Sequence, residues 1–255
     1  MFPYDSTLVS TVATAPESVP DVVRMLENIG SVCADTDGLK WFNWLYLEVT
    51  EAVQARVNYG KGAIAQVGGG DAEPDGFADP AWLAALDVHF AGFYFAAIQA
   101  ALSTNTAPGC WQAVFNARNQ QAVARIQFAL AGMNAHINHD LPLAIVALCQ
   151  STGIEPQHGT AQYNDFTALN ATLDSLIDVA KQELNVRLAG DALPGVSGLE
   201  DTLAAWSMSA ARETAWNNAE LLWHLKDAPP VSAKFVDSLD GLTSVAGKTL
   251  LVPVP

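Results

Sequence analysis

Apolar residues recur at helical spacing along most of the chain, and this pattern predicts a succession of helices. The first runs over 20–30, where Val22, Leu26 and Ile29 share one face and Pro20 stands at a favoured helix start. Further helices are predicted over 39–58, 80–101, 111–119, 121–150, 165–188 and 199–225. β-branched runs are few, and no hairpin turn joins two of them. The pattern predicts an all-α protein, a single multi-helix bundle.

The segments outside these helices suggest how the chain is organised. Residues 1–19 are rich in Ser, Thr and Pro and predict a loose N-terminal arm. The Pro-rich residues 227–255 predict an extended C-terminal tail, which leaves a helical domain over 20–226. Six glycines within 59–78 predict a long surface loop, and 190–198 predicts a second break.

Two of the predicted helices are expected to be central. Residues 80–101 and 121–150 are apolar on nearly every side, and a helix without a polar face is normally buried. Asp79 and Pro80 should cap the start of the first, and Asp165 is a candidate N-cap for the helix that it opens.

The net charge and the apolar content limit the kinds of molecule that we expect this protein to bind. The 255 residues carry 12 Lys and Arg against 27 Asp and Glu, a formal net charge of −15, and half of them are hydrophobic. This apolar content excludes intrinsic disorder, which requires low hydrophobicity and high charge. The acidic balance argues against nucleic acid or a membrane as partner, since both demand a basic surface. We expect a small-molecule substrate or ligand, with a second copy of the chain as a candidate partner in a homo-oligomer.

The cysteines and the N-terminal residues bear on location. Cys33, Cys110 and Cys149 are far apart and form no CxxC pair, so we expect three reduced, buried thiols. The first residues lack the basic and long apolar regions of a signal peptide. The longest apolar stretch, 90–102, is too short to span a bilayer. The expected location is the cytoplasm.

The densest polar cluster in an apolar segment is the run MNAHINHDLP over 133–142. On a helix, His136 and Asp140 lie one turn apart on one face, which His139 joins. An imidazole and a carboxylate at this spacing can chelate a divalent cation. The three side chains are therefore candidate metal ligands, and one divalent metal ion is the candidate cofactor. Pro142 removes a backbone donor and predicts an interruption of the helix.

Two interpretations of this cluster remain open, because buried polar groups need partners. One is a ligand or metal site. The other is a hydrogen-bonded network in which Asn134 and Asn138 bond to neighbouring helices.

Further candidate residues lie on other helices. Asp87 stands inside an apolar helix, where a carboxylate needs a cation or a donor, so we expect it to approach His136 and Asp140. Arg212 is expected to pair with a buried carboxylate such as Asp140 or Asp165. The candidate catalytic residues are His136, Asp140, Asp87 and Arg212. The candidates for substrate contact are Asn134, Asn138, Tyr94, Tyr46 and Trp216.

Several short motifs spread along the chain are similar to those of a known family. They include Asp37-Gly38, Phe77-x-Asp79-Pro80 and Leu86-Asp87, and the most specific is FALAGMNAHINHDLP over 128–142. The chain resembles, over roughly 20–225, a bacterial and fungal family of helical proteins classed as a domain of unknown function. The resemblance implies a helical fold and the location of the site, and it implies no activity.

A shorter fragment, His136, Asp140 and Pro142, is similar to a helix of zinc-dependent phospholipase C and the related helical nucleases. The histidines that follow the proline in those proteins, and their N-terminal Trp ligand, have no counterpart in this sequence. This likeness implies one metal ion at most.

Two classes of function follow from these observations. The favoured one is an enzyme with a buried His/Asp site, assisted by a single metal, that acts on a small, largely apolar metabolite by hydrolase-type chemistry. The alternative is a cofactor-free pocket protein, or a cyclase or isomerase of secondary metabolism. Sequence signatures of α/β-hydrolases, P-loops and dinucleotide-binding folds are absent from the sequence.

Overall fold

A computed structural model describes residues 2–59, 76–184 and 207–253, and throughout these ranges the secondary structure is helical, with no strand. This confirms the predicted all-α bundle. The helices are α1 (Asp5–Thr11), α2 (Val19–Val32), α3 (Leu39–Tyr59), α4 (Pro80–Ser103), α5 (Gly109–Ala117), α6 (Arg125–Ala135), α7 (Leu141–Thr152), α8 (Ala161–Ala168), α9 (Asn170–Glu183), α10 (Met208–His224) and α11 (Pro229–Leu250). Most of the predicted loop at 59–78 and the predicted break at 190–198 lie outside the described residues.

Capping explains where helix α4 begins. The side chain of Asp79 accepts a hydrogen bond from the backbone N of Trp82 at 3.0 Å, and Pro80 occupies the first helical position. The expected cap is therefore confirmed. Asp165 is not an N-cap, because it lies inside α8 and accepts from the backbone N of Ala78 and of Asp79 at 2.9 and 2.6 Å. It ties α8 to the start of α4.

Both chain ends form helices, so the predicted loose arm and extended tail are wrong. Residues 5–11 fold as α1 and bury Leu8 completely, while most of 227–255 folds as α11. Short or polar helices gain most of their stability from tertiary packing, which a periodic pattern does not reveal. Two of the four prolines in this segment, Pro229 and Pro230, stand at the start of α11, where a proline is tolerated.

A buried ion pair fixes the turn between α2 and α3. Arg118, at the end of α5, donates from Nε to Asp37 at 2.9 Å and pairs with Asp5 of α1 at 3.0 Å. The carboxylate of Asp37 is fully buried and also accepts from the Tyr4 hydroxyl. The ion pair therefore joins α1, α5 and the α2–α3 turn.

Helix α4 packs against α1, α2, α3, α5, α7 and α8, although His89, Ala96 and Gln99 on it are exposed. Within the described ranges it is the one helix long and apolar enough to span a membrane by length and composition alone. Of its most apolar 18-residue window, 44% is buried inside the fold. The core helix of a globular protein passes the same test, so this observation is weak evidence for a membrane span.

A glycine permits close packing between α3 and α6. A methyl group on Gly132 would overlap the ring of Phe42, whereas one on Gly92 of α4 would meet no atom within 4 Å. We expect Gly132→Ala to lower the free energy of unfolding by about 1–3 kcal/mol, because the core must be displaced. Gly92→Ala is the control, and it should raise stability by up to about 1 kcal/mol through helix propensity. Urea unfolding monitored by circular dichroism measures both; equal effects would contradict the proposed overlap.

A second prediction concerns His158, in the loop between α7 and α8. Its ring nitrogens lie 2.9 Å from Glu213 and 2.6 Å from Glu220 of α10, and these bonds raise the pKa of His158. A raised pKa stabilises the fold below the unfolded value near 6.5, and the contribution disappears as pH rises through the folded value. His158→Ala should therefore lower the melting temperature more at about pH 6 than at about pH 9. A pH-independent loss, or the same profile in the control His89→Ala, would contradict this.

Candidate functional site

The candidate site is built on a turn of π-helix, His136–Asp140, which joins α6 to α7. The backbone N of Leu141 donates to the carbonyl of His136, five residues earlier. The helix thus continues on both sides, and the interruption predicted near Pro142 takes the form of one widened turn. Such turns are rare and occur frequently at functional sites. Here the turn brings both histidines of the motif onto a single carboxylate.

That carboxylate is Asp140, which is 1% exposed and accepts three hydrogen bonds. Trp111 of α5 donates from Nε1 to Oδ2 at 2.9 Å. Nδ1 of His136 lies 2.9 Å from Oδ2, and Nδ1 of His139 lies 2.7 Å from Oδ1. Burial acts to raise the pKa of Asp140, but the bonds from the two histidines outweigh it and hold the pKa below its ordinary value. Asp140 is therefore ionised, and both histidines carry a proton on Nδ1.

His136 is enclosed by aromatic rings. Phe90 stacks on it with ring centroids 3.5 Å apart, and the ring of Tyr46 lies edge-on at 4.6 Å. Further rings stand at 5.8 to 6.2 Å, from Phe42, Tyr94 and Trp111. Burial in this cage lowers the pKa of His136 in spite of Asp140, so its imidazole is neutral. Its Nε2 is a buried acceptor with no hydrogen-bond partner among the described residues.

Asp87 stands on α4 one helical turn before Phe90, whose ring stacks on His136. The approach of Asp87 to His136 and Asp140 stays a prediction. Burial raises the pKa of Asp87 to about 7, so much of it is protonated at neutral pH. Burial also raises the pKa of Tyr46, and the charges of Asp87 and Asp140 both add to this effect. Both carboxylates therefore lie close enough to Tyr46 to oppose its ionisation.

Two buried polar atoms in this region, Oδ2 of Asp87 and Nε2 of His136, have no hydrogen-bond partner within the described part of the chain. Tyr46 and Thr50 are one turn apart on α3, and a side-chain hydrogen bond between them acts to lower the pKa of Tyr46. Buried atoms without a partner are costly, and they mark a place where a ligand could supply partners.

The structure places Arg212 elsewhere. Its Nε donates to Oδ1 of Asn170 at 2.8 Å, a second nitrogen donates to the carbonyl of Phe166 at 2.6 Å, and the guanidinium covers the Phe166 ring. The expected ion pair with Asp140 or Asp165 is therefore wrong. Burial lowers the pKa of Arg212 to about 9. Its contacts join α8, α9 and α10.

The candidates for substrate contact divide into two groups. Tyr46 and Tyr94 face His136, although the Tyr94 hydroxyl is 3.4 Å from Oδ1 of Asn43. Trp216 packs among Trp82, Tyr163 and Phe166, and none of these rings is within the cage.

Asn134 and Asn138 form the network that the second interpretation describes. Nδ2 of Asn134 donates to the carbonyl of Thr243 on α11 at 2.9 Å. Nδ2 of Asn138 donates to Oδ1 of Asn134 at 3.0 Å. These amides anchor the last helix, so part of the motif acts as a structural link.

Sequence reasoning missed two polar groups that meet the motif. Trp111 supplies the third donor to Asp140. In the sequence it is only a tryptophan at the start of a predicted helix, and nothing there indicates this hydrogen bond. Asp240 of α11 accepts from the backbone N of Gly109 and of Cys110 at 2.7 and 2.8 Å. It was missed because its segment was expected to be extended.

Three side chains of the types that bind metal ions also lie close together beside the motif. In the described part of the chain, Cys110, His139 and Asp240 bring three ligand atoms within 4.8 Å of one another. The predicted metal ligands His136 and Asp140 are instead bonded to each other. A metal ion bound by His136, His139 and Asp140 stays a prediction. For these three side chains to bind one ion through Nδ1, both histidines would have to give up their hydrogen bonds to Asp140.

The protein is thus an all-α bundle in which one π turn carries a buried carboxylate and a neutral histidine, and aromatic rings from α3, α4 and α5 enclose that histidine. The model of DUF5995, a family of unknown function, matches residues 19–253, and the chain belongs to this family. The resemblance to a helical family of unknown function is thereby confirmed. The likeness to zinc-dependent phospholipase C stays a prediction. Comparison with curated proteins gave no match, and comparison with solved structures gave none.

The importance of the Trp111 bond can be tested with a matched pair of variants. Trp111→Phe removes a donor to a buried charge, which we expect to cost about 1.5–3 kcal/mol more than ring truncation alone. Trp82→Phe is the control, because Trp82 is also buried and its Nε1 has no partner among the described residues. Urea unfolding of both proteins measures the difference. A difference near zero would show that Asp140 does not depend on this donor.

Proposed function

We propose that this protein is an enzyme that acts on a small, largely apolar molecule. His136 is the general base and Asp87 the general acid. The favoured reaction is hydrolysis of an ester or a similar bond. The observation that carries the proposal is the unpartnered Nε2 of a neutral His136. The Nδ1–H of the same ring is held by Asp140. A histidine with one nitrogen bonded to a carboxylate and the other free is arranged as a general base.

The charges around His136 support this role. Asp140 keeps its negative charge near the ring, so it can stabilise the imidazolium that forms when Nε2 accepts a proton. The apolar cage keeps the resting ring neutral, which is the form that a base requires.

Asp87 and Tyr46 supply the complementary donors. A carboxyl group with a pKa of about 7 can donate a proton at neutral pH, and the Tyr46 hydroxyl stays protonated. In hydrolysis, Nε2 of His136 takes a proton from water while the water oxygen adds to the carbonyl carbon. The carbon–oxygen bond to the leaving group then breaks, and the leaving oxygen takes the proton of Asp87. Transfer of the imidazolium proton to Asp87 through water restores both groups.

The alternative function is a cofactor-free pocket protein, or a cyclase or isomerase. The close stacking of Phe90 on His136 favours it, because a closed aromatic cage excludes the water that hydrolysis consumes. The same acid–base pair could then move a proton between two carbon atoms of one ligand. Saturable binding of an apolar ester without turnover would favour this alternative over hydrolysis.

The test uses p-nitrophenyl butyrate, a small apolar ester, with release of nitrophenol as the readout. We expect His136→Ala and Asp87→Asn to lower kcat/KM by about 10²- to 10⁴-fold, the usual contribution of a general acid or base. The control is His89→Ala, an exposed histidine on α4. If the wild type shows no turnover and His136→Ala mainly lowers the melting temperature, the cluster is a structural network. Each unsatisfied group would then cost about 1–3 kcal/mol.

The pH profile distinguishes the two roles. Activity should rise as pH passes the lowered pKa of His136, since the neutral ring is the base, and should fall above about 7 as Asp87 loses its proton. Asp87→Asn cannot ionise, so the weak activity that remains should keep the acid limb and lose the alkaline limb. An unchanged alkaline limb in this variant would remove Asp87 from the proposal.

A further inference from the structure

A second site lies on the other side of Asp140. Cys110 at the start of α5, His139 in the π turn and Asp240 on α11 bring a thiol, an imidazole nitrogen and a carboxylate oxygen within 4.8 Å of one another. Cys110 and His139 are 1% and 4% exposed, while Asp240 is half-buried. We propose that these three side chains form a zinc site, which leaves a fourth coordination position for water.

The orientation of His139 supports a metal ligand. Its Nδ1 lies 2.7 Å from Oδ1 of Asp140, so Nε2 is the nitrogen left to bind a metal. Metal-binding histidines in proteins almost always donate their other N–H to a carboxylate or a carbonyl, which fixes the ring and raises its basicity. Asp140 therefore serves His139 as it serves His136.

The position of the thiol is also fixed. Asp240 accepts hydrogen bonds from the backbone N of Gly109 and of Cys110, and this holds the start of α5 against α11. Each carboxylate oxygen accepts one of these backbone bonds, and the Cys110 thiol also donates to this carboxylate. Loss of the thiol proton on metal binding would free the lone pair that accepts it. The three ligands thus come from three separate segments that are already packed together.

The ligand set selects the metal. Mg²⁺ and Ca²⁺ prefer sites made of oxygen, and a thiolate with an imidazole disfavours both. Zn²⁺ binds Cys, His and Asp in tetrahedral geometry, and three protein ligands with an open position are typical of its reactive sites. On binding, the thiol of Cys110 loses its proton to solvent and coordinates as the thiolate.

This zinc site does not depend on the proposed acid–base chemistry. His139 is the one residue it shares with the metal ligands predicted from sequence, and His136 takes no part in it. A zinc ion held by these three side chains would link α5, the π turn and α11.

The test is metal binding by the full chain after treatment with a chelator. Zinc is added back and counted by elemental analysis, and cobalt is added separately because a cobalt–thiolate bond gives a charge-transfer absorption. We expect one zinc per wild-type chain and a thiolate band with cobalt. Cys110→Ala and Asp240→Asn should each weaken zinc binding by at least about 100-fold. Loss of a residue that only hydrogen-bonds to a metal ligand costs up to about 100-fold, and loss of a ligand should cost at least as much. Cys149→Ala is the control, a buried free cysteine on α7.

Several results would overturn the zinc site. These are a wild type that takes up no stoichiometric zinc, a cobalt form without the thiolate band, or a folded Cys110→Ala protein that binds zinc as tightly as the wild type. Circular dichroism checks the fold of each variant, and if neither ligand variant folds, the cobalt band of the wild type decides the question. None of these readouts uses ester hydrolysis, so the failure of one proposal leaves the other standing.

Discussion

The buried negative charge of Asp140 is the constraint on which the rest of the site depends. A carboxylate with 1% exposure must find hydrogen-bond donors inside the protein, because removing an unpaired charge from water is very costly. Both histidines of the π turn bond to it, and Trp111 adds a third donor from α5.

The distribution of charge around Asp140 makes its two histidines different. Burial in the aromatic cage keeps His136 neutral. Burial also acts against the charge on His139, but its bond to Asp140 and the charges of Asp140 and Asp240 raise its pKa above the ordinary value. One carboxylate thus holds a neutral ring on one side and a ring inclined to be positive on the other. Zinc at Nε2 of His139 would have to displace a proton when that ring is charged, whereas Nε2 of His136 is already free to accept one.

Helix α11 completes this arrangement. Its Asp240 and Thr243 bond to α5 and to Asn134, so the last helix covers the side of the π turn that faces away from His136. Gly132 allows α6 to approach α3 closely enough to bring Phe42 and Tyr46 against His136. The site therefore rests on contacts between helices that are distant in the chain.

The sequence by itself determined the all-α class, most helix positions and the motif that holds the site, because helical periodicity, capping residues and a polar run in an apolar segment are local properties. It also singled out Asp87, since a carboxylate in an apolar helix is unusual. Only the tertiary structure decided which partners each side chain meets. Arg212 bonds to Asn170 instead of a carboxylate, and α11 is a helix that carries Asp240 to Cys110. Such pairings depend on which helix faces join, and that is settled by packing over the whole chain and leaves no periodic signal in the sequence.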